Sequence, residues 1–178
     1  MFKPPVIRPA ELADASSLAE VHVASWQVAY RGLIPDHVLD NLSVGHRTDR
    51  WRQRLLQNDL DTLVLELEGR TRGFATYGHT RDPDLVAARA GEIYAFYLDP
   101  LVWGRGYGVA LGEETLEILG QRGFATAVLW VLQSNQRARR FYEKIGFLCD
   151  GVSKIDIEPD GTKFEQVRYW QPLTYPPT

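Results

Sequence analysis

The chain has 178 residues, of which 44% are apolar, 24% charged and 11% aromatic, the make-up of an ordinary globular domain with a substantial core. Its formal net charge of −3 argues against a general nucleic-acid or anionic-membrane binder. No window approaches a membrane-spanning run of roughly 18 apolar residues, and Met1-Phe2-Lys3-Pro4-Pro5 lacks the apolar stretch of a signal peptide, so a cytoplasmic protein is expected. Cys149 is the single cysteine and has no intramolecular partner; its place in Gly146-Phe147-Leu148-Cys149 reads as a small buried hydrophobe. His22, His37, His46 and His79 show no metal-ligand spacing, so no metal is expected.

Val6 to Arg8 reads as a short strand, stopped by Pro9. Leu18, His22, Trp26 and Ala29 recur at helical spacing within Asp14 to Ala29, and Gly32 with Pro35 ends that pattern. A second helical region runs from Asp36 to Asn58 and divides at Ser43 to Gly45. Thr62 to Leu67 and Gly73 to Tyr77 flank Glu68-Gly69-Arg70-Thr71 as an antiparallel hairpin. Glu92 to Leu98 and Thr126 to Leu132 lack alternation, the pattern of strands buried on both faces.

Between those strands, Leu111, Thr115, Ile118 and Leu119 mark one face of a helix that Gly120 and Gly123 close. Asn135 can cap a further helix with an inner face of Ala138, Phe141, Tyr142 and Ile145, stopped by Gly146. Two strands follow, around Phe147 to Ile157 and Phe164 to Pro172, joined by a turn at Pro159-Asp160-Gly161. The order is α+β with a βαβα core, and each buried strand–helix junction is a candidate ligand site.

The richest junction is Leu98-Asp99-Pro100-Leu101-Val102-Trp103-Gly104-Arg105-Gly106-Tyr107-Gly108-Val109-Ala110. Alternating glycines let backbone amides approach a ligand, and the helix that starts near Tyr107 adds unpaired amides and a positive dipole end, which together suit a pyrophosphate. A plain strand-to-helix turn accounts for the glycines equally well. The dinucleotide fingerprint fits poorly, because Val109 holds its third-glycine slot and the loop lies in mid-chain.

Glu92 to Ala110, taken with Leu129 to Phe147, resembles the two best-known motifs of the GCN5-related N-acetyltransferases (GNAT). His22 to Leu33 is similar to the N-terminal helices of a bacterial branch of that superfamily. The resemblance implies an α/β/α sandwich built on a mixed, mostly antiparallel seven-stranded sheet, splayed between its fourth and fifth strands. Acetyl-CoA would lie in that gap as co-substrate, with the backbone around Leu98 on the pantetheine and the amides of Arg105, Gly106, Tyr107, Gly108, Val109 and Ala110 on the pyrophosphate. Trp103 departs from the Gln or Arg that usually opens this loop. The resemblance is also compatible with a homodimer, although no segment identifies its surface.

Asn135 is first of all a helix cap; in the family its equivalent also contacts the cofactor. Tyr142 as a purely structural residue is a core aromatic, whereas the family places this tyrosine near the CoA sulfur, as a general acid for the departing thiolate. Arg137, Arg139 and Arg140 form either a solvated face or an attraction for phosphate. The chemistry implied is direct attack of a neutral amine in a ternary complex. Glu92 is a candidate base acting through a water, against the alternative of an exposed strand-end carboxylate.

Trp26, Tyr30, Tyr94 and Tyr97 are candidate walls of the acceptor pocket, against the alternative that they are core aromatics. His22 shares the helix face of Leu18 and Trp26 and reads mainly as a buried structural histidine. The acceptor expected is a small-molecule or peptide amine, with no nucleic-acid or membrane partner. Two rivals stand beside this reading: a catalytically silent acyl-CoA-binding module of the same fold, and a nucleotide-binding oxidoreductase.

Overall fold

The structure is a computed structural model that describes residues 4–57, 60–86, 88–157 and 161–173. Its centre is one sheet of seven strands: β1 (Val6–Pro9), β2 (Asp61–Leu67), β3 (Arg70–His79), β4 (Ala90–Leu98), β5 (Thr126–Leu132), β6 (Leu148–Ile157) and β7 (Lys163–Pro172). Their spatial order is β1-β2-β3-β4-β5-β7-β6, and every neighbouring pair is antiparallel except β4 and β5. The helices are α1 (Ala15–Ala29), α2 (Asp36–Asp40), α3 (Val44–Gln57), α4 (Tyr107–Gln121) and α5 (Gln136–Lys144). The expected division near Ser43 is observed, since Thr48 and Trp51 start a separate buried stripe in α3.

Alternation along β2 explains the three layers. Leu63 and Leu65 join a core shared with Leu111 and Leu119 of α4, while Val64 packs with Leu18 and Trp51 of α1 and α3 on the opposite face. The β2–β3 turn is tighter than the sequence suggested: Leu67 pairs with Arg70, and Glu68 and Gly69 both take positive φ, the conformation of a two-residue hairpin turn. Of the expected β6–β7 turn, Pro159 and Asp160 lie outside the described residues.

Cys149 is exposed rather than buried. Only Phe147 of its apolar run enters the core, because β6 is the sheet's last strand and nearly all of its residues are exposed. Among the described residues no helix is long and apolar enough to cross a membrane.

The decisive irregularity is in β4. Thr76 pairs with Ala95, but Tyr77 pairs with Ile93, so Tyr94 is an extra residue that bulges the strand. One inserted residue reverses the alternation. Ile93 therefore packs toward α4, yet Ala95 and Tyr97 pack toward α1. At the same place the parallel ladder ends, its last partners being Ile93 and Leu129. From Tyr94 onward β4 stays with β3 while β5 follows β7, and a gap opens between them.

His22 sits on α1 among the rings of Trp26, Trp51, Phe74 and Tyr97, and neither of its nitrogens finds a protein partner among the described residues. Burial, with the nearby charges of Arg47, Arg54 and Arg50, pushes its imidazole down to about 3. An unfolded chain takes up that proton near its ordinary value of about 6.5. Stability is therefore fully present above about pH 6.5 and falls as the pH drops from there toward about 3. In urea titrations between pH 6.5 and 4.5, His22→Leu should lose less stability than wild type, by about 1.4 kcal/mol per pH unit; parallel slopes would show that His22 does not remain neutral in the fold.

Candidate active site

A cavity of about 320 Å³ fills the gap between β4 and β5 and reaches the start of α4. Leu98, Gly106, Gly108, Val109, Asn135 and Tyr142 line it, together with Tyr30, Tyr94 and Tyr97. Arg105, Tyr107 and Ala110 belong to the same loop and helix start but are not among its lining residues. Gly104 and Gly106 take φ of +74° and +86°, and a Cβ on either would meet nothing within 4 Å. The glycines therefore serve the backbone path rather than packing. Val109 and Ala110 already donate their amides to the Gly106 carbonyl, at 3.0 and 3.2 Å, so the free donors of this helix start lie before them.

Asn135 caps α5, its Oδ1 accepting the Ala138 amide at 3.1 Å, and it is buried at the cavity wall. The cap uses the carbonyl oxygen alone. The Tyr142 ring lies against Phe96, Phe141 and Phe147. Burial raises its phenol above the ordinary value, with Tyr97 adding to the rise. Burial likewise raises Tyr30 and Tyr97. These hydroxyls keep their protons at neutral pH and are donors, not bases.

Trp103 has a defined place. Its indole N–H donates to the Leu98 carbonyl at 2.8 Å, and the Arg137 guanidinium stands 3.2 Å from its ring centre. Both side chains line the gap, and desolvation lowers the Arg137 pKa. The carbonyl of Leu98 is thus occupied by the protein itself, which leaves its neighbours on β4 as the free backbone edge. Arg139 instead bonds the Tyr169 hydroxyl at 3.0 Å and the Gln133 carbonyl at 3.1 Å.

A second cavity of about 220 Å³ shares Tyr30, Ile93, Tyr94, Tyr97 and Trp130 with the first. Trp26 and Glu92 line it as well, so all four expected wall aromatics and the expected base meet here. Glu92 is not an exposed strand-end carboxylate: β4 begins earlier, at Ala90, and Glu92 is 1% exposed. It is held by Arg81, whose amide donates to Oε2 at 2.8 Å and whose Nη2 donates to Oε1 at 2.5 Å. The Arg81 guanidinium also lies 4.4 Å from the Tyr94 ring centre.

Sequence reasoning missed Arg81 and the residue that fixes its loop, Arg168. Buried Arg168 holds Asp150 at 2.6 Å, Asp84 at 2.9 Å and Asp82 at 3.3 Å. Asp82 in turn accepts the Trp130 indole at 3.0 Å. These contacts join residues far apart in the chain, and no local pattern announces them. The described residues include no cluster of His, Cys, Asp or Glu able to hold a metal.

The sequence profile of the Acetyltransferase (GNAT) family matches residues 26–147, a span that contains both strands of the gap, the glycine loop and Tyr142. The chain belongs to the GNAT family. It is 30% identical over 161 residues to the uncharacterized N-acetyltransferase YuaI of Bacillus subtilis, covering 90% of this chain and 89% of that protein. Among solved structures, an N-acetyltransferase from Staphylococcus aureus Mu50 is similar with a TM-score of 0.73 at 19% identity, covering 97% of this chain and 100% of that one. YncA from Salmonella typhimurium, solved with its cofactor acetyl-CoA, gives 0.70 at 19% identity over 99% and 98% of the two chains. This GNAT enzyme is an N-acetyltransferase with the expected mixed sheet, flanked by helices.

The Arg168 clamp carries a stability prediction. Removing its guanidinium strands the largely buried carboxylates of Asp82 and Asp150, so Arg168→Met should cost about 3 kcal/mol in urea unfolding at pH 7. A change under about 0.5 kcal/mol, the ordinary surface range, would refute the clamp.

Proposed function

We propose that this protein transfers the acetyl group of acetyl-CoA directly to a primary amine of a small molecule or peptide, in a ternary complex. The observation that carries this reading is the continuity of the 320 Å³ cavity, which joins the free β4 edge, the glycine-started helix and Tyr142 in one space. The residues present fit the co-substrate. A Cβ at Gly106 has open space before it, so the backbone there is accessible to a pyrophosphate, which the first amides of α4 would receive. The extended edge of β4 beyond Ile93 offers unpaired groups to the amides of a pantetheine arm. Once bound, acetyl-CoA supplies an activated acetyl group whose departing thiolate needs a proton.

Tyr142 holds that proton. Its burial keeps the phenol neutral, so its role is to donate a hydrogen bond to the sulfur and release the proton as negative charge grows there. On the acceptor side, Glu92 takes the proton of the attacking amine through a water. Arg81 orients its two oxygens, and the amine's route passes Tyr30, Tyr94 and Tyr97, which wall both cavities.

CoA release measured against an amine panel tests the reading; tight acetyl-CoA binding without acetylation of any amine would favour a silent binding module instead. Tyr142→Phe should lower kcat by about 10²-fold with little change in acetyl-CoA affinity, and unchanged turnover would remove Tyr142 from the mechanism. Gly106→Val places a branched side chain at φ +86° beside the helix start. It should weaken acetyl-CoA at least tenfold, about 1.4 kcal/mol, in calorimetric titration; normal affinity would refute the phosphate site.

A further inference from the structure

The second cavity holds four charged side chains: Arg81, Lys154, Glu92 and Asp156. Arg81 and Glu92 satisfy each other. Asp156 is exposed at the surface and accepts the Gln166 amide at 2.8 Å. Lys154 differs from the rest. It is half-buried, its ammonium lies 4.3 Å from the Trp130 ring centre, and no carboxylate among the described residues pairs with it. An ammonium over an indole gains from the ring, and with none of the described carboxylates on it its N–H groups stay open to water or to a ligand. Its platform is firm, because Trp130 is tied through Asp82 to Arg168.

This arrangement is unlike a site for a polycation, which would need carboxylates in excess. Two cations and two carboxylates balance here, and the uncommitted cation stands on Trp130, a wall common to both cavities. The amine end of an acceptor belongs beside Glu92, which lines the second cavity next to the shared Ile93 and Tyr94. We infer that the acceptor carries a carboxylate as well as its amine, and that Lys154 receives that carboxylate: the substrate class is a free amino acid or a comparably small amino carboxylate. The 220 Å³ of the cavity suits a ligand of that size. The inference rests on the N-acetyltransferase reading above and assigns Lys154 the role of a specificity residue.

The test compares kcat/KM for L-alanine, L-phenylalanine and L-glutamine with that for their carboxamides, at saturating acetyl-CoA, in wild type, Lys154→Met and Lys154→Arg. Wild type should prefer at least one acid over its amide by about tenfold or more, the scale of a charge-assisted hydrogen bond. Lys154→Met should abolish that preference through KM, with acetyl-CoA affinity unchanged, and Lys154→Arg should retain most of it. Equal use of acids and amides by wild type, a preference for diamines, or an undiminished acid preference in Lys154→Met would overturn the inference while leaving acetyl transfer intact. If wild type binds acetyl-CoA but releases CoA with no amine of either kind, the transfer reading falls and the carboxylate site falls with it.

Discussion

Everything that makes this sheet a site follows from the parting of β4 and β5 after the Ile93–Leu129 pair. A parallel pair that continued to the ends of both strands would satisfy its backbone internally and leave no interior space. The extra residue at Tyr94 bends β4 away at that point, so the backbone beyond it is bonded on the β3 side alone. Unpaired strand edges inside a protein are costly, and an extended ligand bearing its own amides restores the missing bonds. The bulge has a second effect. By reversing the alternation it brings Tyr97 to the same side of the sheet as α1, where Trp26 and Tyr30 stand.

The two cavities meet at the bulge and divide the electrostatic work. The gap between the strands is lined by backbone, glycines and neutral phenols held protonated by burial, and its charged groups lie at the rim, where Arg137 stacks on Trp103. The second cavity contains the buried carboxylate. Glu92 is retained there because Arg81 meets both of its oxygens, and Arg81 is delivered by a loop that would otherwise be free to move. Arg168 supplies the constraint from β7, gathering Asp82 and Asp84 from the β3–β4 loop and Asp150 from the edge strand. The charge network therefore fixes the geometry around Glu92, and breaking it costs stability as well.

What was legible in the sequence was local. The glycines before Tyr107, the cap at Asn135 and the unbroken apolar runs of β4 and β5 each carry their cause within a few residues, and the elements appear where those signals lie. The four aromatics were legible only as pocket walls or core and Glu92 only as a base or an exposed strand-end carboxylate; that they meet at one cavity depends on the fold. The bulge at Tyr94 was not legible, because a single inserted residue leaves an apolar run looking continuous. Cys149 was misread because an apolar run at a sheet edge has the same composition as one in its middle. Arg81, Lys154 and Arg168 gain their meaning only from partners brought by other strands.

Trp103 shows how a departure from a motif acquires a physical role. A Gln or Arg at the head of the glycine loop would present a flexible polar group, whereas the indole is rigid and donates one hydrogen bond. That bond goes to Leu98, the last residue of β4, and so fixes where the strand ends and the loop begins. Arg137, from the first turn of α5, then lies on the outer face of the ring. The two walls of the gap, one ending in the glycine loop and the other continuing into α5, are thereby joined at their open end by a stacked pair. Both side chains are donors only, so neither can accept from the loop amides. The loop thus keeps its course without the usual polar residue, because its glycine backbone, rather than that side chain, sets its path.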